Sequence, residues 1–157
     1  MAYAILDVEG IQISKEHMCT RKLYILHENG KDQRCIEFKA CVDYEQLRLE
    51  YQEAFRWCER RIHKLPYHPR KGRPCEDAKK ELKEFVNEHQ INVIYYKGGT
   101  IEKNLCKQID FPCFNIEDIN APKVNSHDPR VEVRAHWEFV KKNEDEIRQT
   151  VVRALYY

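Results

Sequence analysis

The 157-residue chain is predicted to form an α/β domain, a mixed sheet that is antiparallel in its first half and flanked by helices. Three observations predict it. An apolar, strand-like run opens the chain and a hairpin pattern follows. A short and almost wholly apolar run, Asn92–Tyr96, has the composition of a central parallel strand covered on both faces. Between and after these runs the apolar residues recur near the helical period, as in the crossover connections of a parallel sheet.

Tyr3–Val8 is the first strand, and Ile11 and Ile13 extend it or lead its connection. Arg21–His27 and Arg34–Phe38 make a hairpin around Asn29-Gly30, a favourable turn pair. From Tyr44 to about Ile62, the residues Leu47, Tyr51, Ala54, Phe55 and Cys58 form a helical stripe. Pro66, Pro69, Gly72 and Pro74 then break the chain into a stiff basic loop. Cys75–Gln90 reads as a second helix with Ala78, Leu82, Phe85 and Val86 inward. After the strand Asn92–Tyr96, Thr100 is expected to cap a short helix that runs to about Lys107. Cys113–Ile116 is one more strand, and an irregular segment covers 118–129. A single long helix, Val131–Leu155, closes the chain with the stripe Val133, Trp137, Val140, Ile147, Val151 and Leu155. The length suits one domain over 1–157.

Lys and Arg total 27 against 26 Asp and Glu, so a net charge of +1 excludes a bulk polycation and leaves room for local basic patches. No run of eighteen apolar residues and no secretory leader is present, so the expectation is an intracellular protein, cytoplasmic or nuclear, with no membrane partner. Seven cysteines, an odd number, argue against a full disulfide framework and suit core filling or zinc. There is no Gly-x-Ser-x-Gly elbow, no phosphate-binding loop and no dinucleotide fingerprint.

The chemistry is concentrated in three places. Asp7 and Glu9 lie two apart on the first strand, so both carboxylates point to one face and can share a divalent cation. After the second central strand, Glu102 reaches a metal from the first turn of its helix or serves the helix dipole alone. Lys97 nearby contacts a phosphate or caps a strand end. In Ser126–His136, Asp128 caps the terminal helix, Pro129 fits its first turn, and Glu132 and His136 share a face. His127, just before that helix, is placed to act as a general base. Asp7, Glu9, Glu102 and Glu132 thus form the candidate Mg²⁺ or Mn²⁺ set. The other reading is a solvated strand end with capping and surface residues.

The loop Cys58–Cys75 supplies two further candidates. Cys58, His63, His68 and Cys75 are a candidate zinc set at a spacing that matches no standard finger, and Cys106, Cys113 and His127 are a looser one. Arg56, Arg60, Arg61, Lys64, Arg70, Lys71 and Arg73 crowd the same stretch against a single acid, Glu59, with Trp57 and Tyr67 interleaved. Such a patch grips phosphates while an aromatic ring stacks a base. It equally suits an acidic protein partner.

With Asp7-Val8-Glu9-Gly10 on the first strand, and with His127 and Glu132 five apart at the start of the last helix, the chain resembles the ribonuclease-H-like DEDDh 3′–5′ exonucleases. It is also similar to virus-like and transposon-derived members, many of which carry incomplete acid sets. In the family the middle acid is an Asp; here Lys97–Cys106 contains none, and Glu102 is the substitute. Glu132 likewise stands where the family has Asp. The resemblance spans Ala4 to about Ala154 and implies a two-metal nuclease acting on RNA or single-stranded DNA. In it Asp7 and Glu9 hold the ions, His127 deprotonates water, and Arg60, Arg61, Lys64, Tyr67, Arg70, Lys71, Arg73 and Lys97 bind the nucleic acid. The alternative is a catalytically inactive nuclease-like fold that binds RNA or protein.

Overall fold

The computed structural model describes residues 2–15, 17–63, 72–126 and 128–156, with the backbone alone at Ile62 and His63. The strands are β1 (Tyr3–Ser14), β2 (His17–His27), β3 (Gln33–Lys39), β4 (Arg73–Pro74), β5 (Val93–Tyr96) and β6 (Cys113–Asn115). The helices are α1 (Leu49–Cys58), α2 (Asp77–Glu88), α3 (Thr100–Gln108), α4 (Pro129–Lys142) and α5 (Glu144–Tyr156). The sheet runs β4-β3-β2-β1-β5-β6. β1, β2 and β3 pair antiparallel, whereas β5 runs parallel to β1 and β6 parallel to β5. The mixed α/β architecture expected from the sequence is therefore present.

β1 organises the molecule because both of its faces are covered. Ala4, Leu6 and Val8 point to one side, where Leu23 and Ile25 of β2 join Ala78, Leu82 and Phe85 of α2 and Leu105 of α3. Tyr3 and Ile5 point to the other, against Tyr24, Val93 and Tyr95 and beneath Val133 and Val140 of α4 and Ile147 and Val151 of α5. Each fully buried Leu, Ile or Phe contributes roughly 1.5–3 kcal/mol, so the doubly covered strand holds the largest share of the driving force. A smaller cluster of Ile11, Leu47 and Phe55 seats α1 on the far half of β1. There Gly10 admits the close approach of α3: a Cβ at this position would lie 2.2 Å from Ile101 Cδ1.

Two expectations at helix ends need correction. The terminal helix is not continuous from Val131 to Leu155 but breaks at Asn143, whose side chain donates to Phe139 O at 2.9 Å. Val140 and Ile147 are seven apart, so the apolar stripe keeps its phase across the break and periodicity cannot register it. Thr100 is the first helical residue of α3; Gly99 occupies the cap and no side chain caps it. Asp128 does cap α4, accepting from Arg130 N at 3.0 Å, with Pro129 in the first turn.

The turn between β2 and β3 fixes α4. Gly30 adopts φ +73°, and a Cβ there would meet the Trp137 ring at 2.7 Å. The Trp137 indole donates to Glu28 O at 2.7 Å. Gly30→Ala should therefore destabilise the protein by at least about 1–2 kcal/mol, the cost of a left-handed conformation, with displacement of the indole in addition. Urea unfolding of the two proteins checks this, and Trp137 fluorescence should shift in the same variant.

Candidate functional site

β5 is short and pairs with β1 only along Tyr3–Ile5, so one edge of β1 is open from Leu6 onward. Alternation along β1 that directs Tyr3 and Ile5 toward the α4 layer carries Asp7 and Glu9 to the same side. Glu132, in the first turn of α4, meets them there. Oxygens of Asp7, Glu9 and Glu132 all lie within 4.8 Å of one another. Glu102 of α3 enters from the open edge, where its Oε1 accepts a hydrogen bond from Val8 N at 3.1 Å. The sheet leaves that N–H without a strand partner, and the carboxylate takes it.

Electrostatics set this cluster apart from ordinary surface acids. Burial pushes the Asp7 carboxyl up to about 9, and Glu132, Glu102 and Glu9 add to the effect. Burial and then Glu132 raise Glu9 to about 7, with Lys22 opposing. Burial also raises Glu102 to about 7, against hydrogen bonds from its own N–H and that of Val8. Asp7 Oδ2 and Glu102 Oε2 are buried without a hydrogen-bond partner. Buried acceptors are costly when left unmatched, and a divalent cation with oxygen ligands would satisfy both the lone pairs and the charge. On this ground the acid set fits Mg²⁺ or Mn²⁺.

The surroundings were only partly foreseeable. His136, one turn beyond Glu132, is buried, and burial together with nearby Lys97 depresses it to about 4. It is therefore neutral at neutral pH. The i, i+4 relation to Glu132 was its signal in the sequence. Asn115 anchors the turn after β5, its Oδ1 accepting from Gly98 N at 3.1 Å; nothing in the sequence marked it. Lys22 is near Glu9 only because β2 pairs Glu9 with Lys22, a register that periodicity cannot supply.

Other expected site residues are dispersed. Arg60 and Arg61 are exposed on the single π-turn Glu59–His63, Arg60 donating to Arg56 O and Arg61 lying over the Trp57 ring. Arg73 is engaged by Asp77 and Glu81 of α2. Cys58 is half-buried, within electrostatic reach of Glu9, and joins no group of three metal-ligating residues among those described. Cys75 lies with Cys19 and Cys41. His127, Lys64, Tyr67, His68, Arg70 and Lys71 lie outside the described residues, as does the side chain of His63.

Asp7, Glu9 and Glu102 hold protons more tightly when folded than their ordinary carboxylate values allow. Their contribution to stability is complete below about pH 4 and is lost as pH rises through about 7 and toward about 9. In chelator, the melting temperature should fall across that interval more steeply for the wild type than for Asp7→Asn, and Mn²⁺ should cancel the difference. Parallel slopes would mean that Asp7 carries no such proton. A scan of protein-family models finds none that matches the chain, and a search of curated proteins finds no match.

Proposed function

We propose that the protein is a divalent-metal-dependent nuclease of the ribonuclease-H-like, DEDDh type, cleaving RNA or single-stranded DNA from the 3′ end. The observation that carries this reading is the convergence of Asp7 and Glu9 with Glu132, acids from opposite ends of the chain, within 4.8 Å. The unpartnered Asp7 Oδ2 and Glu102 Oε2 support it, as does the mixed sheet with an antiparallel first half.

In this reading Asp7, Glu9 and Glu132 are the cation ligands, and Glu102 lends its free oxygen from the open edge of β1. Bound cations supply Lewis-acid stabilisation of charge that develops on the phosphoryl oxygens. A cation held by these residues would take the place of the proton on Asp7, so its affinity would rise with pH. The Val8 N–H keeps Glu102 aligned without consuming its second oxygen. His127 accepts the proton of the attacking water, the role the family resemblance gives it. The basic stretch that starts at Arg56 runs off α1, whose Cys58 feels the charge of Glu9, and it is suited to hold the phosphate backbone. Lys97, just after β5, is within electrostatic reach of His136 and is the second candidate for a phosphate contact.

One observation favours a second reading, a binding module without turnover. Glu102 spends one oxygen on Val8 and stands where the family has a shorter acid. A displacement on the order of 1 Å costs about 100-fold in rate.

A 5′-labelled single-stranded oligonucleotide incubated with Mn²⁺ distinguishes the two. The nuclease reading expects a ladder shortened from the 3′ end, absent in chelator and reduced about 100-fold or more in Asp7→Asn and Glu132→Gln. Glu102→Gln, whose amide oxygen can still accept from Val8, should keep the melting temperature and lower cation affinity. Salt-sensitive binding with no products, at any divalent ion, would leave the binding module.

A further inference from the structure

Beside the start of α2, Cys19 of β2, Cys41 after β3 and Cys75 before α2 bring their sulfurs within 4.8 Å of one another. Cys19 and Cys41 Sγ are 2.9 Å apart, and His17 Nε2 lies 3.9 Å from Cys41 Sγ. We propose that His17, Cys19, Cys41 and Cys75 form a zinc site of the Cys₃His type. All seven cysteines are free thiols, and this group holds three of them beside an imidazole.

The chemistry favours zinc over the harder cations suited to the acid cluster. Thiolate and imidazole are the ligands of structural tetrahedral zinc, with Zn–S near 2.3 Å and hence sulfur separations of roughly 3.8 Å. The Cys19–Cys41 pair, at 2.9 Å, opens by roughly 1 Å to reach that edge, and His17, which neighbours Cys41 Sγ but lies outside the three-sulfur group, closes in as the fourth ligand. A backbone donor is already in place: Cys41 N–H donates to Cys19 Sγ at 3.2 Å, the kind of second contact that stabilises a metal-bound thiolate. A coordinating cysteine binds zinc as the thiolate, so zinc uptake at this group releases protons. The site opens onto a cleft of about 480 Å³ lined by His17, Cys19, Cys41 and Cys75, so an ion can enter from solvent.

Sequence spacing hid the group. Cys41 and Cys75 bracket residues 42–74, and only the pairing of β2 with β3 and the start of α2 return both to Cys19. A zinc ion there clasps the hairpin to α2 and closes the excursion that carries α1 and the basic stretch. The site stands independently of the nuclease reading.

The test uses the full chain, purified anaerobically from zinc-supplemented cells. Elemental analysis should give about one zinc per chain, unchanged in Asp7→Asn and reduced tenfold or more in Cys41→Ser, whose exposed position tolerates the change. Replacement by Co²⁺ in the wild type should produce a thiolate-to-metal charge-transfer band and the intense visible bands of a tetrahedral ion, with no dependence on any variant folding. Three outcomes overturn the proposal: zinc retained in Cys41→Ser, a cobalt spectrum without thiolate character, or metal-free protein with Cys19 and Cys41 joined in a disulfide.

Discussion

Like-charge crowding beside the open edge of β1 is the constraint on which the rest of the structure depends. Carboxylates of Asp7, Glu9 and Glu132 share a space only a few ångströms across; Glu102 stands outside that group, bonded to Val8 N, and adds its charge. Folding by itself does not favour this arrangement, since burial and mutual repulsion both oppose ionisation. The apolar layers on the two faces of β1 make it tolerable. They hold in place the strand that carries Asp7 and Glu9 toward Glu132. Sites that bind charge are commonly built this way, with local instability held in place by a strong surrounding core.

The fold also separates two kinds of ligand chemistry. Oxygen donors gather under α4, and sulfur donors gather beside the start of α2. Strand alternation alone does not separate them, because Cys19 pairs with Ile11, which shares the parity of Asp7 and Glu9; the segment after β3 and the start of α2 bring Cys41 and Cys75 to it. Carboxylate oxygens suit hard cations and thiolates suit soft ones, so the two clusters differ in the ions they are chemically fitted to hold.

Much of this was legible in the residues. The apolar character of Tyr3–Val8 and of Asn92–Tyr96 identified both central strands, and Asn29-Gly30 located the hairpin turn. Asp7 and Glu9 were legible as a pair because a period of two needs no tertiary information. Glu132 could be matched to them through its place at the start of the terminal helix. What stayed hidden depended on register and on bends. The neighbourhood of Cys19, Cys41 and Cys75 arises from strand pairing across long separations, and local spacing suggested a partnership of Cys75 with Cys58 instead. The break at Asn143 was invisible because its flanking apolar residues remain in phase.

The anchoring of Trp137 on the Glu28 carbonyl has a mechanical consequence. An amphipathic helix lying on a sheet can slide along its axis at little cost, since one apolar contact replaces another. The indole acts as a stop. It ties α4 to the hairpin a little over one turn from Glu132, so the axial position of that carboxylate is set by a corner of the molecule that takes no part in the chemistry. Alignment of the acids is thereby a property of the hairpin as much as of the strand that bears them.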